Sequence, residues 1–167
     1  SKFGGGSIYF DGTGDSLNPA NSSDYAFGTG DFTVDCWLYK INTVAWETMF
    51  DTYSTGGSDG FICGLWDSSS TMGFYSESGI GWTNAGGTEV GLNTWYHLAL
   101  VRNGNNIRLY INGTLDSAFA STTFSGALNN SSSWIYIGET RTGSDETNGY
   151  VDEYRISWVA RYTSNFT

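Results

Sequence analysis

The chain has 167 residues, the length of a single domain, and 39% of them are hydrophobic, enough for a core without disulfide or metal staples. A net charge of −10 excludes nucleic acid as a partner, because seven Lys and Arg scattered along the chain make no basic stripe against phosphate. No apolar run approaches the roughly 18 residues of a membrane span, no signal peptide is visible, and the strand-like opening suggests one domain, 1–167, excised from a longer protein.

Strands are expected in quick succession. SIYFDG (7–12) places Ile8 and Phe10 on one face. DFTVDCWLYK (31–40) alternates Phe32, Val34, Cys36 and Leu38 against Thr33, Asp35, Trp37 and Tyr39. Segments 47–53, 60–66 and 71–76 follow, then a hairpin of 94–104 and 106–113 around a Gly-Asn-Asn turn. The last two are 133–139 and 149–158. Turn signals recur about every 8–12 residues and no helical period is sustained, so the fold class is an all-β sandwich or barrel.

Within 149–158, strict alternation puts Tyr150, Asp152, Tyr154 and Ile156 on one face and Val151, Glu153 and Arg155 on the other. Asp152 thus shares the apolar face, where an unpaired carboxylate costs several kcal/mol. It needs a partner.

Cys36 and Cys63 lie in apolar strand-like runs and read as small buried hydrophobes, with a disulfide open if the strands are neighbours. Two isolated cysteines and one His make a poor metal set. The N-x-S/T sequons at Asn21, Asn112, Asn129, Asn130 and Asn165 are what an Asn-, Ser- and Thr-rich chain contains by chance.

Five segments in order, FDGTGDSL, GTGDFTVDCWLY, WYHLALVRNGNNIRLYING, IYIGE and GYVDEYRISWVARYTSNF, resemble the laminin-G-like branch of the concanavalin A-like lectin/glucanase superfamily, which includes pentraxins. The resemblance spans about 7–166. It implies an antiparallel jelly-roll sandwich of two curved sheets whose terminal strands meet. It also implies a sugar- or protein-binding role on an extracellular, cell or virion surface.

The resemblance further implies a structural calcium joining Asp152 to Asp11, with Gly12 or Asp15 as weaker ligands; oxygen-rich sites of this kind suit Ca²⁺. Backbone N–H groups, Arg155 or Arg161 are the other partners open to Asp152. A second calcium, at the rim as in pentraxin-like relatives, would draw on Glu139, Asp145 and Glu146 and on Asp51 and Asp59. The dense acidic run of those relatives is missing here.

Sugar recognition needs flat aromatic faces beside hydrogen-bonding groups. Trp46, Tyr53, Trp66, Tyr75 and Trp82 are the aromatics that strand alternation leaves unclaimed, and Trp82 with Asn84 in a Gly-rich loop is the first choice of platform. Trp95, Trp134 and Trp158 read as core. Glucanases of the superfamily present Glu-x-Asp-x-(x)-Glu on one strand, and this motif is absent. Glu47, Glu77, Glu89, Glu139, Glu146 and Glu153 are isolated, adjacent Asp152 and Glu153 point to opposite faces, and His97 follows a pattern in which it is structural.

The expectation is a non-catalytic, lectin-like adhesion module binding a glycan or glycoprotein surface, with no membrane insertion. The alternative is a structural or protein-binding domain of a fibre, capsid or matrix assembly, packed against other chains.

Overall fold

A computed structural model describes residues 1–20, 22–53, 59–66, 70–76, 80–83 (backbone only), 87–129 and 134–167. Two antiparallel sheets face each other. The larger has the order β1 (Ile8–Asp11), β10 (Asn148–Ser157), β2 (Phe32–Lys40), β7 (Trp95–Asn103), β8 (Asn106–Ile111) and β9 (Thr114–Leu115). The smaller is a meander of β3 (Trp46–Asp51), β4 (Ile62–Trp66), β5 (Thr71–Ser76) and β6 (Ile80–Thr83). This is the expected jelly-roll sandwich, and its first and last strands pair, with Ile8 opposite Val151 and Asp11 opposite Asn148.

Period-two patterning drives the burial. Phe32, Val34, Cys36 and Leu38 of β2 all turn into the sandwich. There Phe27, Phe32, Phe50, Phe61 and Phe74 form an aromatic cluster, with Phe27 stacked on Phe32 at 4.3 Å. Each fully buried Phe contributes about 1.5–3 kcal/mol. Cys36 and Cys63 are free and buried in this core, where burial pushes both thiols well up. The two sheets are also joined by a buried ion pair: Lys40 Nζ lies 2.8 Å from Glu47 Oε1 and donates to Ser70 Oγ at 2.6 Å.

Several expected elements differ. In 133–139 the described part makes only isolated bridges, Tyr136 with Asp51 and Ile137 with Leu17. Part of the expected loop 78–87 is instead strand β6, pairing with β5. Of the three tryptophans expected in the core, Trp95 is half-buried on the outer face and Trp134 and Trp158 are 41% and 52% exposed. Trp158 caps an edge, donating from Nε1 to the Asp24 carbonyl at 2.8 Å.

The largest difference is in β10. Register runs Asp152 to Trp37 but then Arg155 to Asp35, so β10 carries one extra residue, and Glu153 adopts φ 50°. This β-bulge resets the alternation. Val151 faces the core before it and Ile156 packs against the core after it. Asp152, paired with Trp37, and Arg155, paired with Asp35, both belong to the outer face. The assignment of Asp152 to the apolar face is thereby corrected.

Candidate functional site: a groove on the outer face of the six-stranded sheet

Because Phe32, Val34, Cys36 and Leu38 point inward, Asp35 and Trp37 point outward, and across the ladder Trp37 is paired with His97. The chain ends fold back over this face. On one side Asp152 Oδ2 accepts from the amides of Lys2 (2.7 Å) and Phe3 (3.1 Å), while Oδ1 accepts from Glu153 N at 2.9 Å. Hydrogen bonds from Phe3, then Lys2 and Glu153, hold this carboxyl below its ordinary range. Phe3 meets Trp37 edge-on and Lys2 Nζ sits 4.3 Å from the Trp37 ring centroid, a cation–π contact.

On the other side Ala160, Tyr162 and Phe166 pack on Ala99, Val101 and Tyr110. Tyr162 stacks on Phe166 at 3.7 Å, Phe166 N donates to the Gly113 carbonyl at 2.9 Å, and Leu115 N donates to Asn165 Oδ1 at 2.9 Å.

Between the two ends lies a groove of about 960 Å³, within the size range of ligand sites. Trp37 and His97 line it below, Trp95, Asn112 and Phe166 on one side, and Lys2, Phe3 and Glu153 on the other. Beneath it Asp35 is held by three side chains. Arg155 donates from Nε to Oδ1 at 3.1 Å and from Nη2 to Oδ2 at 2.6 Å; Tyr162 Oη donates to Oδ2 at 3.1 Å, and His97 Nε2 lies 3.2 Å from it. Burial raises the Asp35 carboxyl, but the bonds to His97, Arg155 and Tyr162 outweigh it and leave the group below the ordinary range. Three side chains thus make four contacts to this carboxylate, three of them on Oδ2. Asp35 is therefore a structural anchor that fixes Arg155 and Tyr162 under the groove. The His97 ring is caged edge-on by Trp37, Tyr162 and Phe166, and its Nδ1 has no hydrogen-bond partner among the described residues.

The residues selected from sequence fall elsewhere. Asp11 and Asp152 are not brought together: Asp11 pairs with Asn148, four positions and roughly 13 Å along β10 from Asp152. Asp152 bonds backbone N–H groups, one of the partners left open above. At the other end of β1, Asp15 Oδ2 accepts from Asp11 N (2.9 Å), Asp11 Oδ1 from Thr13 N (2.7 Å) and Glu146 Oε1 from Gly14 N (2.8 Å), so these acids brace a turn through Gly12.

On the rim, Asp51 is buried; its Oδ1 accepts from Tyr53 N and its Oδ2 from Arg141 N at 2.9 Å. Burial pushes the Asp51 carboxyl up to about 6, with Asp145 adding to the rise and those amides opposing it. Glu139 and Asp59 are half-buried. Among the described residues no three His, Cys, Asp or Glu side chains form a group that could hold a metal.

Trp66 is not a platform. It is fully buried against Trp46, over Gly73, where a Cβ would lie 1.5 Å from the indole Cδ1. Tyr53 and Tyr75 are half-buried and meet edge-on at 5.7 Å. Asn84 and the side chain of Trp82 lie outside the described residues.

No curated protein matches the chain. A family model described as the concanavalin A-like lectin/glucanases superfamily, its laminin G branch, matches residues 5–163. The chain belongs to this superfamily. Among solved structures, the concanavalin A-like sandwich seen here is similar to domains LG4-5 of the mouse laminin alpha1 chain, with 15% identity and a TM-score of 0.62 over 95% of this chain and 44% of that one. It is similar to the heptameric SAP-like pentraxin of Limulus polyphemus, with 17% identity and a TM-score of 0.62, covering 92% of this chain and 76% of that one. Domain 4 of AbnA, a GH43 extracellular arabinanase from Geobacillus stearothermophilus solved with arabinotriose, shares 21% identity and a TM-score of 0.62 over 94% of this chain and 77% of that one. At such identities the likeness is one of fold. The concanavalin A-like scaffold hosts many functions, so the groove has to be argued on its own chemistry.

Proposed function

We propose that the domain is a non-catalytic carbohydrate-binding module that seats a glycan in the outer-face groove and acts as an adhesion element outside the cell or on a virion surface. One observation carries the reading: indole rings from two different strands, Trp37 and Trp95, converge with Asn112, Lys2 and Glu153 in one open groove. Rings stack on the C–H faces of a sugar while amide, ammonium and carboxylate groups take its hydroxyls. The arabinotriose held by the similar arabinanase domain supports it. A non-catalytic role is supported by Asp35, whose carboxylate is tied to Arg155, Tyr162 and His97 beneath the groove.

The test is a glycan array of the domain and its Trp37→Ala variant, each in millimolar Ca²⁺ and in EDTA, with circular dichroism as the folding control. Binding that persists in EDTA and falls at least tenfold in Trp37→Ala is the expected result. Binding lost in EDTA by a folded domain, and indifferent to Trp37, moves the site to a calcium rim around Asp51, Asp59, Asp145 and Glu146. A blank array in both buffers favours the structural or protein-binding alternative.

A further inference from the structure

The groove does not end at Trp95. Register places Trp95 opposite Tyr39, Tyr39 opposite Tyr150 and Tyr150 opposite Tyr9, so four aromatic residues form one unbroken row across β7, β2, β10 and β1. Residues directly opposite in a sheet project from the same face, and this is the outer face that also carries Trp37. Ring centroids follow one another at 5.4, 6.1 and 4.9 Å from Trp95 to Tyr9, the stride of the strands themselves. Exposure grows away from the groove: Trp95 and Tyr39 are half-buried, while Tyr150 and Tyr9 are 36% and 50% exposed. A sheet face that met only water would carry polar residues at these positions.

The geometry points to a linear, uncharged oligosaccharide as the ligand, lying across the strands with one end in the groove and successive sugar rings on Trp95, Tyr39, Tyr150 and Tyr9. This rests on the carbohydrate-binding reading above. A row one ring wide fits a chain polymer, and each phenol adds a hydroxyl beside an apolar face. Neighbouring rings are tilted by 54°, 66° and 36°, so they cannot lie together on a flat crystalline surface; a single soluble chain, whose units turn relative to one another, can follow them. A net charge of −10 disfavours sulfated or uronic-acid chains.

Isothermal titration with soluble arabino-, xylo-, cello- and manno-oligosaccharides, each from monosaccharide to hexasaccharide, tests this on the intact domain. For the series that binds, affinity should rise with length up to about the tetrasaccharide, by about 2- to 12-fold for each ring engaged. Tyr150→Ala and Tyr9→Ala should flatten that rise, whereas Trp134→Ala, an exposed aromatic outside the row, should leave it intact. Both row variants sit at exposed positions, and their melting curves verify folding. Affinity that is already full with a monosaccharide, or a rise that ignores Tyr150 and Tyr9, overturns the chain-binding inference and leaves carbohydrate binding standing. No heat with any of the four series, together with a blank array, overturns both.

Discussion

Asp51 and Lys40 are buried charges handled in opposite ways. Asp51 accepts from the amides of Tyr53 and Arg141, and its raised carboxyl makes the folded state bind a proton that the unfolded chain gives up. That contribution is present below about pH 4 and is lost as pH rises through about 6. The loss amounts to about 3 kcal/mol. Denaturant melts from pH 4 to pH 7 should show wild type losing ground to Asp51→Asn across this window by that order, and parallel curves would refute the assignment. Lys40 has Glu47. Removing one partner of such a pair strands the other, so Lys40→Met should cost about 3–5 kcal/mol, and adding Glu47→Leu should recover most of it. Equal losses in the single and double variants would mean that the pair itself, rather than the stranded charge, sets the cost.

Among the elements, β10 and the C-terminal segment decide what the outer face can do. The bulge at Glu153 brings Arg155 to Asp35 and leaves Asp152 to hold residues 2 and 3. The tail is held through Gly113, where φ is 77° and a Cβ would stand 1.9 Å from the Phe166 carbonyl oxygen. Gly113→Ala should therefore undock Tyr162 and Phe166. Trypsin cleavage after Arg161 should accelerate, and unfolding stability should fall by about 1–3 kcal/mol; unchanged proteolysis would show that the tail is held elsewhere.

These devices also mark where the sequence stops being informative. Phe32, Val34, Cys36 and Leu38 announce β2 because period two is a local property. The extra residue in β10 is invisible to the same rule, since the residue that absorbs it, Glu153, has no distinctive side chain, and everything after it changes face. Trp66 looked available because its notch is created by Gly73 on the next strand. The groove was half legible: alternation already set Asp35, Trp37 and Tyr39 on the face opposite the core. A non-core strand face bearing Trp, Tyr and a carboxylate is the local signal for the groove. The convergence of Trp95, His97, Lys2 and Phe166 on that face depends on strand order and on both chain ends, which no local pattern encodes.

For the molecule as a whole, the sandwich leaves its six-stranded sheet with an aromatic outer face, roofed by chain ends on either side and open between them. On the rim, where the resemblance implies a second calcium, Asp51 and Glu146 accept from backbone amides. The central claim is that glycan binds on the sheet face. Amide and indole NMR shifts, recorded while the tightest-binding oligosaccharide is titrated into the isotope-labelled domain, test it most directly. The account predicts perturbations centred on Trp37, Trp95, His97 and Asn112 and extending to Tyr39, Tyr150 and Tyr9. Perturbations confined to Asp51, Tyr53 and residues 139–146 would contradict it and place the ligand on the rim.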